Sequence, residues 1–291
     1  MPDLPTVAFG DIEITRLIGG GNPLCAYSHN VEQMTRDMAG YFTAERVVEY
    51  LHRCQAAGIN TLQARGDFHR VLHWRELFRR EGGRLHWIAQ TASEMFDVFE
   101  NIRVMAAAGA EAIYHHGSRT DKLWQAGRID EVRDYLKAMR DAGVRVGLAT
   151  HIPEVIDHVE EAGWDLDFYM TCVYNLSRTP RESALVDPQA AKQEEKFLPE
   201  DPPRMYERVR ATERQCLAFK ILGAARRCAT QEDVRAAFRE AFANIKPTDA
   251  VVVGMFPKYV DQIALNVQYT IEACEELTAI SSSRTGSPRS R

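Results

Sequence analysis

The chain has 291 residues, with 36 basic against 41 acidic side chains for a formal net charge of −5, and it is 45% hydrophobic and 26% charged. That balance fits a globular protein with a sizeable core, excludes general disorder, and sets up no basic field for nucleic acid or anionic lipid. No apolar run approaches the roughly 20 residues that cross a bilayer, and residues 1–10 lack the basic start and apolar core of a secretory signal. A cytoplasmic protein with a small-molecule substrate, and neither a nucleic-acid nor a membrane partner, is therefore expected.

From residue 14 onward, short β-rich apolar runs alternate with longer stretches of helical periodicity, the pattern of a parallel sheet wrapped by helices. Strand signals begin near Ile14 (ITRLIG), Ile59 (INTLQA), Leu85 (LHWIAQ), Glu111 (EAIYHH), Val144 (VRVGLAT), Leu166 (LDFYMTC), Cys216 (CLAFKIL) and Asp249 (DAVVVGM). Between them lie amphipathic segments such as 44–57, where Val47, Val48, Leu51 and Cys54 recur at helical spacing, and 231–245. Gly58, Gly143 and Gly163 stand where a helix ends in a left-handed cap before the next strand. Eight strand-then-helix units predict a (β/α)8 TIM barrel, one α/β domain over 1–278, followed by a disordered tail over 279–291.

Two strand-to-strand intervals are long, 45 and 50 residues. The excess falls at 20–42 after the first strand and at 173–214 after the sixth, on the face where barrels build their sites, so both are expected to be lids. Pro202 and Pro203 suggest that the second is an ordered arm leading into a short helix. The six cysteines, Cys25, Cys54, Cys172, Cys216, Cys228 and Cys274, show no CxxC spacing and read as reduced thiols.

Barrel chemistry sits at the C-terminal ends of strands. That rule selects Asn22 and His29, then Gln63, Arg65, Asp67 and His69, then Gln90, then His115, His116 and Asp121. It continues with His151, with Cys172, Tyr174 and Asn175, with Lys220, and with Lys258. Adjacent strands lie about 4.8 Å apart, so His151 and one of His115 and His116 can converge; alternation allows only one of that pair to face the mouth. One reading is a divalent zinc, manganese or iron centre on His115 and His151, completed by Cys172 or by Glu194 or Glu195. The other is hydrogen bonding and acid–base work by the histidines, with His116, His151 and Lys220 as the catalytic set.

Lys220 lies within an apolar strand signal, where it either points into the barrel, to form a Schiff base, move a proton or hold an oxyanion, or pairs with a carboxylate. Asn22, His29, Gln63, Arg65, Gln90, Tyr174 and Asn175 are candidates for binding substrate. Arg226 and Lys258, after the last two strands, are candidates for a phosphate or other anion.

FGDIEITRLIGGGNP, AAGINTLQA and VVVGMFPKYVDQIALN resemble the opening hairpin and first strand, the second strand and the closing stretch of the aldo/keto reductases. HHG at 115–117, FYMTC at 168–172 and LAFKILGA at 217–224 are similar to a divergent branch of such barrels with no assigned activity. The resemblance implies a barrel and a catalytic Asp, Tyr, Lys and His, which fall here on Gln63, Phe68, Gln90 and His116. Phe68 has no proton to give and Gln90 no charge, so hydride transfer by the family's usual mechanism is not expected, although Lys258 is placed to meet the 2′-phosphate of NADPH.

Three functions follow in order. The first is a non-redox lyase, epimerase or isomerase acting on a small polar carbonyl or sugar-like substrate by His/Lys chemistry, with or without a metal. The second is an NADPH-dependent reductase whose proton donor is Tyr174 or Tyr27. The third is a binding pseudoenzyme. Assembly into a homo-oligomer stays open.

Overall fold

Strands rich in Val, Ile and Ala can bury both faces, one toward a barrel interior and one beneath helices, as parallel strands require. In the computed structural model, which describes residues 3–66, 70–92, 95, 97–178 and 195–285, they form β3 (Leu17–Gly20), β4 (Thr61–Arg65), β5 (His86–Gln90), β6 (Ala112–His115), β7 (Arg145–Thr150), β8 (Phe168–Cys172), β9 (Gln215–Phe219) and β10 (Ala250–Gly254). These close in the order β10-β3-β4-β5-β6-β7-β8-β9, every pair parallel. The molecule is a (β/α)8 TIM barrel.

Helices α2 (Ala44–Ala56), α3 (Arg70–Arg80), α4 (Val98–Ala107), α5 (Gly117–Gln125), α6 (Val132–Asp141), α7 (Pro153–Glu161), α8 (Asp201–Ala211), α9 (Gln231–Asn244) and α10 (Gln262–Thr285) cover the barrel, and α1 (Glu32–Tyr41) belongs to the first lid. Gly58, Gly143 and Gly163 take positive φ at the helix ends, as expected. Pro202 and Pro203 open α8 at the close of the arm. Helix α10 runs to Thr285 where a disordered tail was expected from 279, since nothing before Gly286 and Pro288 breaks it. Residues 286–291 lie outside the described residues. Among those described, no helix is long and apolar enough to cross a membrane.

The first strand signal is divided. Ile12–Thr15 is β2, paired antiparallel with β1 (Thr6–Phe9), and the barrel strand starts only at Leu17. Arg16 makes the break: its guanidinium donates to the carbonyls of Lys246 and Asp249 and lies 4.8 Å from the centre of the Phe242 ring. The hairpin then stoppers the N-terminal end, as Phe9 and Ile14 pack with Phe168, Leu217 and Ala112 inside the barrel. Gly147 makes room there, for a Cβ on it would lie 2.3 Å from the Phe168 ring.

Candidate active site

Above the apolar filling, alternation brings polar side chains to the mouth. Gln63 Nε2 donates to the Tyr114 hydroxyl at 2.7 Å, and that hydroxyl donates to Gln90 Oε1 at 3.1 Å. Two of the positions that the resemblance sets against the reductase tetrad are thus joined through a phenol. Burial pushes the Tyr114 hydroxyl well above its usual range, against a small opposing effect of Arg65. Sequence reasoning passed over Tyr114, although counting in twos from the inward Ala112 reaches it.

His151 is held by Asp121 from α5. Its Nδ1 lies 2.6 Å from Asp121 Oδ2, its backbone N–H donates to the same oxygen at 3.1 Å, and both residues are almost wholly buried. Thr150 and Ser177 hydroxyls, each at 2.5 Å, donate to the two carboxylate oxygens. The register pairs Thr150 with Thr171, so His151 and Cys172 sit side by side, and their side chains hydrogen bond. Burial pushes the imidazole down, but Cys172 and Asp121 together more than offset it and leave its pKa raised. Gly117 permits this placement, because a Cβ there would stand 3.1 Å from His151 Cε1.

The adjacent histidines divide as alternation requires. His116 follows the inward face of Tyr114, and its amide donates to Thr91 Oγ1. His115 turns outward, bonding Thr120 Oγ1 at 2.7 Å and stacking on Tyr135 of α6 at 5.1 Å. Burial, aided by Arg119, lowers its pKa to about 3. His115, His151 and Cys172 therefore do not form a metal centre; His115 belongs to the helix layer, and no group of metal-ligating side chains is assembled among the described residues.

Lys220 takes the second of its two readings, paired with a carboxylate. Strand β9 ends at Phe219, and Lys220 takes a left-handed φ of 64° just beyond it. Its Nζ lies 3.5 Å from Glu195 Oε2, while Glu195 Oε1 lies 3.0 Å from His29 Nδ1 and Asn22 Nδ2 3.2 Å from His29 Nε2. The carboxylate comes from the arm, whose Phe197 rests between the Arg226 guanidinium at 3.9 Å and the Tyr174 ring at 5.0 Å. These contacts form a latch that ties the segment after β3, the arm and the end of β9.

Beneath it lies a cavity of about 350 Å³ lined by Asn22, Tyr27, His29, Gln63, Phe219 and Lys220, with apolar walls from α1, α9 and α10. Among the described residues, the five non-glycine residues with positive φ are Ala26, His29, Lys220, Ala224 and Ala225, and four of them line this cavity. Such conformations cost roughly 1–3 kcal/mol each and gather at functional sites. Arg65 is buried with its guanidinium 5.2 Å from the Tyr27 ring.

The remaining candidates have structural duties. Arg226 donates to the His29 carbonyl, and Lys258 pairs with Asp37 of α1, so both are engaged with the segment that follows β3. Tyr174 is buried beside Arg227, and Asn175 Oδ1 accepts from the Ser177 amide. Asp67, Phe68, His69 and Glu194 lie outside the described residues.

No family model matches the chain, and no curated protein matches it. Solved structures do. A phospho-2-dehydro-3-deoxyheptonate aldolase from Thermotoga maritima shares 15% identity over 96% of this chain and 75% of its own, with a TM-score of 0.52. A truncated form of 3-deoxy-D-arabino-heptulosonate 7-phosphate synthase from the same organism shares 14% over 97% and 94%, at 0.50. A glycerol dehydrogenase from Gluconobacter oxydans, an aldo/keto reductase, shares 12% over 98% and 97%, at 0.52. Redox and non-redox enzymes stand together in this set, and at such identities the likeness establishes the TIM-barrel fold.

Proposed function

We propose that the chain is a non-redox enzyme of the lyase, epimerase or isomerase type, acting on a small polar carbonyl or sugar-like substrate by proton transfer. The observation that carries this reading is the buried Asp121–His151 pair at the barrel mouth. A carboxylate on Nδ1 fixes the ring and its tautomer and stabilises the imidazolium formed when Nε2 takes a proton, which raises the pKa of His151 and suits it to general acid–base work. His116 supplies a second imidazole at the same rim, and Gln63, Tyr114 and Gln90 offer amide and hydroxyl contacts to substrate oxygens. Lys220 gives positive charge at the cavity wall for a carbonyl or enolate oxygen.

The test is solvent exchange. Small oxo acids, aldoses and ketoses incubated with the enzyme in D2O should include one that takes up deuterium next to its carbonyl, read by proton NMR. His151→Gln should slow that exchange by about 10²–10⁴-fold. An unchanged rate in the variant removes His151 from the reaction.

A second reading, reduction by NADPH, is favoured by one contact: Tyr27 lines the cavity with the Arg65 guanidinium near its ring. Tyr174, buried beneath Phe197, is not placed to act as the donor. NADPH fluorescence unchanged on adding the protein at millimolar cofactor would exclude this reading.

A further inference from the structure

We propose that Cys172 is a nucleophile, with His151 as its base and Asp121 as the positioning residue, and that it captures small molecules carrying an electrophilic carbonyl carbon. Strand register brings Cys172 and His151 together. Cys172 ends β8 on the inward face shared by Phe168 and Met170, beside His151 on the neighbouring strand. Nδ1 of His151 is committed to Asp121 at 2.6 Å, so in this assignment Nε2 is the nitrogen that takes the proton of the neighbouring thiol. Nucleophile, base and orienting carboxylate then follow in line, with Ser177 and Thr150 holding the carboxylate.

Other thiols stand differently. Cys54 meets Tyr50 and is pushed up to about 12 by burial, and Cys216 lies near Lys246 Nζ with its pKa raised by burial.

The thiol is fully buried, and its cover is identifiable. Phe219 pairs with Cys172 in the β8–β9 register, stands edge-on to the His151 ring at 5.8 Å, and lines the 350 Å³ cavity on its other side. In this proposal, rotation of that ring is what admits an electrophile from the cavity to the sulfur. In the step itself the sulfur attacks the carbonyl carbon, an S–C bond forms, and the C=O π pair moves to oxygen. The thiol proton passes to His151 Nε2 and on to that oxygen, giving a hemithioacetal with no atom lost and no change of redox state. Only the carbonyl nature of the natural substrate rests on the proton-transfer reading; the reactivity of the thiol does not.

Timed alkylation of the full native chain with iodoacetamide, followed by peptide mass analysis, tests this. Carbon–sulfur bond formation there expels iodide and leaves the thiol proton on His151. Cys172 should react about tenfold or more faster than the buried Cys54 and Cys216, and should stay reactive below the ordinary thiol pKa of about 8.5. His151→Gln should slow Cys172 about tenfold while the exposed Cys228 keeps its rate, and Phe219→Ala should speed it. The proposal is overturned if Cys172 reacts no faster than Cys54 and Cys216, or if its rate in the wild type rises with pH as a free thiol does. The second criterion needs no variant to fold. Selective alkylation without deuterium exchange would keep the nucleophile and remove the proton-transfer reading; exchange without selective alkylation would do the reverse.

Discussion

Asp121 accepts from two hydroxyls and a backbone amide and pairs with the His151 imidazole. Because His151 titrates higher in the folded chain than its usual 6.5, its contribution to stability is fully present below about pH 6.5 and is lost as pH rises through the raised value. Asp121→Asn should therefore lose most stability on the acid side, with a gap from wild type that narrows toward alkaline pH in urea unfolding; a gap independent of pH would contradict the assignment. His115 has the opposite sign. Lowered to about 3, it stays neutral in the folded chain while the unfolded chain protonates, so stability falls as pH drops from about 6.5 toward 3. His115→Gln should flatten the melting temperature across that window.

Much of this was legible. Strand-end placement picks out His151, Cys172 and Asp121, but it cannot say that the carboxylate reaches back from a helix turn 30 residues earlier to orient the imidazole. Nor does a lysine announce a left-handed φ: in an apolar run Lys220 reads as strand until its partner, 25 positions upstream in the arm, is known.

At the scale of elements, the barrel strands were readable because each buries both faces, while their ends shifted where one side chain redirected the chain, as Arg16 does between β2 and β3. The arm was recognised from an interval too long for a plain crossover and from Pro202 and Pro203, yet its anchorage was not, because Phe197 is held by a ring and two cations from two separate loops, those after β8 and β9. Cation–π contacts of this kind contribute about 0.5–2 kcal/mol. Phe197→Ala should raise amide hydrogen exchange across 195–211 with little change in global melting. Unaltered exchange there would mean that the arm is held by something else.

For the molecule as a whole, packing volume and alternation specify the barrel, which is why chains only 12–15% identical share it while no family model matches. Gly147 shows the constraint in miniature. Gly147→Ala drives a methyl into Phe168 and should cost about 1–3 kcal/mol in unfolding free energy. Adding Phe168→Leu should recover part of that loss, and an additive double variant would place the strain elsewhere.

The hairpin at the base has a kinetic corollary. With Phe9 and Ile14 filling that end of the barrel, a ligand of the cavity would enter and leave from the opposite end, past the Glu195 contacts to His29 and Lys220. Loosening those contacts should quicken association and dissociation together, altering how fast a ligand is exchanged far more than how tightly it is held.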